Sequence, residues 1–102
     1  QAFLNVVVFG MDPQQAAEAP RFASYSWPIS PVPHDYQPGV LRIEEPIGTE
    51  AADRLSDLGH KVTMWPEREV AAGSVCMIQA DLRTGFKVGG ADPRRTAYAV
   101  GW

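Results

Sequence analysis

The sequence predicts an α+β fold, and three observations carry that expectation. Asp12-Pro13 is a strong helix start, apolar and polar residues alternate at Val40–Glu44 and Lys61–Trp65, and a glycine turn at Gly85 joins two strand-like runs. A helix pair, then strand, helix and several antiparallel strands make an α+β layer.

Gln1 to Gly10 is almost wholly apolar. A short apolar run fits a buried strand or a buried helix, and the helical signal directly after it favours helix. An element apolar all round is covered on all sides, and a chain of 102 residues has little mass to do the covering. That points to absent neighbours. In the next segment Asp12 suits the N-cap, Pro13 the first helical position, and Gln15 a capping-box partner. The helix Pro13 to Ala19 is rich in alanine, so it can lie close to a neighbour, and Pro20 ends it.

Phe22 to Gly39 reads as irregular, with Pro28, Pro31, Pro33 and Pro38 among Tyr25, Trp27 and Tyr36. The aromatic residues argue against disorder. Such a loop is either a rim or contact surface or is stapled onto its own core. Val40 to Glu44 alternates as a strand, Leu41 and Ile43 on one face, Arg42 and Glu44 on the other. Thr49 suits the N-cap of a helix from Glu50 to Leu58, with Ala51, Leu55 and Leu58 on its apolar face and Gly59 as a left-handed stop. Lys61 to Trp65 alternates again with Val62 and Met64 inward. Gly73 to Asp81 is a strand apolar on both faces and so expected to be covered on both. Arg83-Thr84-Gly85 turns it back into Phe86 to Gly89. Tyr98 to Trp102 is a last strand-like run.

The totals exclude several classes of function. The chain is one domain or less, and its nine basic residues are scattered against twelve acidic ones, for a net charge of −3, so no nucleic-acid stripe is present. No apolar run approaches the roughly 20 residues of a bilayer span. Phe3 to Phe9 is too short and lacks the cationic flank of a signal peptide. A start at Gln1 rather than Met suggests a processed product or an excerpt. Cys76, the single cysteine, excludes an internal disulfide and reads as a small buried hydrophobe.

The inventory of reactive groups is poor. His34 reads as a solvated loop residue and His60 as a structural partner of the preceding helix terminus. Glu44 and Glu45 are adjacent and point to opposite faces, so regular strand geometry denies them a paired role. No nucleophile constellation, metal spacing or cofactor fingerprint stands out, and no catalytic, cofactor-binding or metal-ligating residue is assigned. The organising feature is Val88 to Arg95, Val-Gly-Gly-Ala-Asp-Pro-Arg-Arg. It reads first as a structural corner in which an inward Arg94 pairs with Asp92, because a buried unpaired charge is very costly. An anion-binding nest of glycine amides is the functional alternative. No Lys-Ser/Thr follows, so a phosphate loop is not supported.

Several stretches, in order along the chain, resemble the C-terminal end of the gamma-glutamyltransferase (gamma-glutamyltranspeptidase) family. They are Asn5 to Gln14, Ala16 with Ala19 to Phe22, Leu41 to Glu44, Leu58 to Val62, Gly89 to Arg95 and Ala99 to Trp102. The resemblance implies residues 1–102 as the C-terminal segment of the small-subunit part of an N-terminal-nucleophile hydrolase, a four-layer αββα sandwich. It implies a precursor that cleaves itself, exposing a threonine that attacks the gamma-glutamyl carbonyl of a glutathione-type substrate. That threonine and the oxyanion glycines would lie upstream of Gln1, so no catalytic residue carries over, and the segment alone is expected to be inactive. Gly89-Gly90 matches the family's late corner, not its oxyanion pair. No cofactor is implied; the implied partners are the rest of the parent protein and a small peptide substrate at the parent's site, and the faces left uncovered in the segment predict self-association where the parent is absent. Bacterial members are often periplasmic or secreted.

The longer Phe22 to Gly39 and the Thr96-Ala97-Tyr98 in place of a more usual Asp-Gly-Ala place the parent in a divergent branch. Related acylases of glutaryl or cephalosporin-type amides share the fold and a similar C-terminal sequence, so that alternative stays open. A standalone assembly module contacting partners through Tyr25, Trp27 and Tyr36 is the remaining one.

Overall fold

The computed structural model describes residues 1–101, which divide into two units: Pro20–Ala72, and Gln1–Ala19 together with the chain from Gly73 onward. In the first, β2 (Val40–Glu44) is the central strand, pairing antiparallel with β1 (Phe22–Ser24) and parallel with β3 (Lys61–Trp65). The β1 strand corrects the expectation of a wholly irregular Phe22 to Gly39. Its three residues carry little alternation of their own and are held by pairing Phe22 with Ile43 and Ser24 with Leu41. The parallel pair also departs from the expected all-antiparallel set. Parallel neighbours need a crossover, and the helix α3 (Thr49–Asp57) provides it.

One face of this sheet makes the core. Leu41, Ile43 and Ala52 are buried, with Ile47, Leu55 and Val62 packed around them. The buried stripe of α3 therefore runs through Ala52 and Leu55, and Leu58, expected inward, is 79% exposed. The N-cap is Gly48 rather than Thr49, and no side chain caps the helix there. The C-terminus follows the expected glycine stop: Gly59 has φ +93°, its N–H bonds Ser56 O at 2.9 Å, and His60 N–H bonds Leu55 O at 3.1 Å, a Schellman closure. Met64 is exposed, whereas Trp65, on the opposite face, is buried.

In the second unit α1 (Ala2–Val7) packs on α2 (Pro13–Glu18), and α2 meets the hairpin of β4 (Cys76–Ala80) and β5 (Lys87–Ala91). The first helix forms as expected, yet Phe3, Leu4, Val7, Val8 and Phe9 are exposed, so its apolar girth is uncovered among the described residues. The second begins with the expected capping box: Asp12 accepts from Gln15 N–H at 2.9 Å, and Gln15 Oε1 accepts from Asp12 N–H at 3.2 Å. Ala16 and Ala17 are fully buried, as the small-residue reading requires. The hairpin turn is closed by Asp81 N–H to Phe86 O at 2.9 Å, Gly85 N–H to Asp81 O at 2.8 Å and a Gly85 φ of +79°.

Two expectations about the hairpin fail. Ile78 is 78% exposed and Cys76 is exposed, so β4 is not covered on both faces, and the lone thiol is not a core group. The covered face is the one bearing Met77 and Gly90, on which the backbone at Pro13 and Gln14 of α2 rests. Tyr98 to Gly101 forms no strand, and Trp102 lies outside the described residues.

Candidate functional site

The corner at Asp92 is a heavily bonded polar cluster within its unit. Pro93 follows the end of β5, fixing φ there, and carries the chain into Arg94. The Asp92 and Arg94 side chains are wholly excluded from solvent, and Nη1 lies 3.1 Å from Oδ1. The same Oδ1 accepts from Arg94 N–H at 3.0 Å, and Oδ2 accepts from Val75 N–H at 3.0 Å. The other side of the guanidinium donates to the last turn of α2: Nη1 to Ala17 O and Nη2 to Ala19 O, both at 3.0 Å. Orphan carbonyls at a helix C-terminus are thereby satisfied by a cation, which the helix dipole also favours. One ion pair ties together α2, the entry to β4 and the exit from β5.

The pairing of Asp92 with Arg94 is as the sequence leads one to expect. The glycine nest is not formed. Gly89 and Gly90 sit in regular register opposite Ile78 and Met77, neither at positive φ, so their amides serve the hairpin rather than a concave anion cradle. Gly90 is instead demanded by packing, because a Cβ there would run into the Pro13 carbonyl and Gln14 N. Beside it the Gln14 carboxamide acts as a strand surrogate. Its Oε1 accepts from Ala91 N–H at 2.9 Å and its Nε2 donates to Ala91 O at 3.0 Å.

A second buried carboxylate belongs to the other unit and escaped the sequence reading. Glu44 has no exposed surface, although strand alternation assigns it to an outer face. It accepts from Arg21 N–H at 2.8 Å and from Glu69 N–H at 2.9 Å. Its neighbour Arg42 is roofed by aromatic rings: the guanidinium carbon is 4.4 Å from the Tyr25 centroid and 6.0 Å from that of Trp65. The two rings meet edge to face at 6.3 Å. The face opposite the core is thus a second packed layer. Only its two distant aromatic residues could have signalled that, and strand period alone cannot bring them together. Glu45 opens a 3-10 turn and is exposed, so the two glutamates diverge.

The remaining candidates stay apart. His34 is exposed in the proline-rich loop, with Nδ1 3.0 Å from Ile29 O, and His60 is exposed past the end of α3. Trp27 and Tyr36 are exposed. No group of three or more His, Cys, Asp or Glu among the described residues could hold a metal ion. An open groove of about 890 Å³ runs along the hairpin, lined among others by Cys76, Ile78, Phe86, Tyr98 and Val100. Its lining is mostly apolar, with the thiol of Cys76, the ammonium of Lys87 and the phenol of Tyr98 as polar groups among the described residues.

Comparison with known proteins gives a consistent result. A family model described as Gamma-glutamyltranspeptidase matches residues 1–102. The glutathione hydrolase-like YwrD proenzyme of Bacillus subtilis (strain 168) is 34% identical over 94 residues, which is 91% of this chain and 16% of that protein. The solved structure of LmbA2991HD superposes with a TM-score of 0.87 at 34% identity, covering 99% of this chain and 18% of the other. The cephalosporin acylase of Bacillus halodurans superposes with a TM-score of 0.81 at 27% identity, covering 100% and 17%. The chain therefore spans about a sixth of the length of the curated relative it matches.

Proposed function

Since this chain belongs to the gamma-glutamyltranspeptidase family, we propose that it is a scaffold portion of an enzyme that transfers or hydrolyses gamma-glutamyl groups. The observation that carries the proposal is the match of the family model along all of residues 1–102. The geometry agrees with a supporting role. Asp92, Arg94 and Glu44 are buried and engaged in holding backbone groups, so these charges organise the fold rather than face a substrate.

The nucleophile is a threonine elsewhere in the precursor. Its hydroxyl oxygen adds to the gamma-glutamyl carbonyl while its own amine takes the hydroxyl proton. The tetrahedral oxyanion is held by backbone amides. Collapse expels the amine of the substrate, which leaves with that proton, and an ester remains. Water then gives glutamate, or an amino-acid amine gives a new gamma-glutamyl amide. The residues of this chain take no part in those steps; they hold the wall against which the site is built.

The full-length precursor should split into two subunits before a threonine and release the amine from a gamma-glutamyl anilide. A precursor that stays intact, with no such threonine, overturns the proposal. The likeness to a cephalosporin acylase supports a second reading, in which the acyl group is glutaryl or a related side chain. Rates on glutaryl and gamma-glutamyl anilides, compared on the same preparation, separate the two.

A further inference from the structure

We propose that Arg42 is the binding group for a small carboxylate on the outer face of the β1–β2–β3 sheet. The site is built within one unit and is independent of whether the parent acts on gamma-glutamyl groups. Side chains alternate across a strand, so Arg42 shares its face with Ala23 of β1, with Val40 and Glu44 of β2, and with Lys61, Thr63 and Trp65 of β3. Thr63 is directly opposite Arg42 in the register. The guanidinium is held by the rings that roof it, with Tyr25 at 4.4 Å and Trp65 at 6.0 Å. Its Nε is shut off from solvent and meets no hydrogen-bond acceptor, and no described residue accepts from its Nη groups. A buried donor left unbonded is costly and rare. Arg94 shows the contrast, since its guanidinium is spent on Asp92 and on the carbonyls of Ala17 and Ala19.

The surroundings of Arg42 select the ligand. Glu44, the one carboxylate on this face of the three strands, already accepts from Arg21 N–H and Glu69 N–H. Arg42 is therefore left beside a second cation, the exposed Lys61, and the exposed hydroxyl of Thr63. Because Arg42 is half-buried with Nε shielded, the outer pair of Nη groups is the side open to approach. Two parallel N–H groups in one plane match the two oxygens of a carboxylate. Tyr25 covers a face of the guanidinium, so a ligand comes in along its plane, which suits a flat carboxylate better than a tetrahedral oxyanion. The Thr63 hydroxyl adds a donor, and Lys61 raises the local attraction for an anion. A fork already fixed by aromatic rings loses little freedom on binding.

Titration of the full-length protein with sodium succinate, followed through the arginine Nε–H resonances, tests this. The Arg42 signal is identified by its loss in Arg42→Gln. In the wild type it should shift saturably with succinate. Thr63→Val, which keeps the β-branched shape, should weaken binding severalfold, and Thr63→Ser should restore it. Lys61→Gln should also weaken it, more at low salt than at high. An Arg42 signal that stays fixed overturns the proposal, as it would if a group of the precursor already filled the fork. A linear drift without saturation, or an equal shift with sodium chloride at matched ionic strength, overturns it as well. Equal affinity in wild type, Thr63→Val and Lys61→Gln overturns the placement on this face. The readout is local to Arg42, so activity of the precursor on gamma-glutamyl or glutaryl amides can fail without touching it, and the reverse.

Discussion

Arg94 makes two kinds of interaction at once, and substitution distinguishes them. Its guanidinium neutralises a solvent-free carboxylate and also donates to Ala17 O and Ala19 O. Arg94→Met leaves Asp92 charged and buried, and breaking one side of such a pair costs about 3–5 kcal/mol. Arg94→Lys keeps the charge but cannot reach three acceptors from one planar fork, so it should fall between. Urea midpoints of the full-length protein should rank wild type, Lys, Met. The double variant Asp92→Asn with Arg94→Met should lose less than the sum of the two singles; strict additivity would mean that the two groups do not act as a unit. Asp81 offers a gentler test on the surface. The Thr84 side chain and the Arg83 amide hold its carboxyl below the ordinary 3.8. A lowered folded value means the turn is fully supported above the pH at which unfolded aspartate titrates, and that the support fades as pH falls through the folded value. Thr84→Ala should move the Asp81 titration upward toward 3.8, read by carboxyl chemical shift. Asp92 with Arg94 was legible because only Pro93 separates them in sequence. The role of Glu44 was not, because its partners Arg21 and Glu69 lie far from it along the chain.

Among the elements, two glycines show how differently the same residue type is required. Gly90 lies in a strand with its open side against the α2 backbone, so Gly90→Ala forces helix and hairpin apart. Overpacking of that kind costs about 1–3 kcal/mol. Gly59 meets nothing within 4 Å, and its φ of +93° is the only constraint. Gly59→Ala should cost roughly 1 kcal/mol through backbone strain alone. Thermal denaturation of both variants in the full-length protein should place Gly90→Ala lower; the reverse order would show that α2 does not rest on β5. Helix starts and stops were legible in sequence wherever a local hydrogen bond defines them, as at Asp12 and Gly59. At Thr49 the same logic failed, since Gly48 takes the cap without any side-chain bond. Strand faces were half legible: alternation located Leu41 and Ile43 in the core, yet it could not show that Tyr25 and Trp65 cover the other side.

For the molecule as a whole, the uncovered apolar surface is the leading feature of the unit that carries the hairpin. Phe3, Phe9, Ile78, Phe86, Tyr98 and Val100 are each 70% exposed or more, and Ile78, Phe86, Tyr98 and Val100 line one groove, where contiguous apolar surface favours contact with another chain. Expressed alone, the chain is expected to self-associate. Sedimentation velocity should show a mass that grows with concentration, and a concentration-independent folded monomer would contradict the expectation. The sequence by itself determined the α+β class, the capped start of α2, the glycine stop of α3, the hairpin turn and the Asp92–Arg94 pairing. Each of these depends on residues within a few positions of one another, where backbone geometry and side-chain reach leave few alternatives. Only the tertiary structure decided that β2 and β3 run parallel, that Glu44 is buried and that Cys76 is exposed. Those outcomes are set by which distant surfaces meet and exclude water, and that free energy is not written in any short stretch of chain.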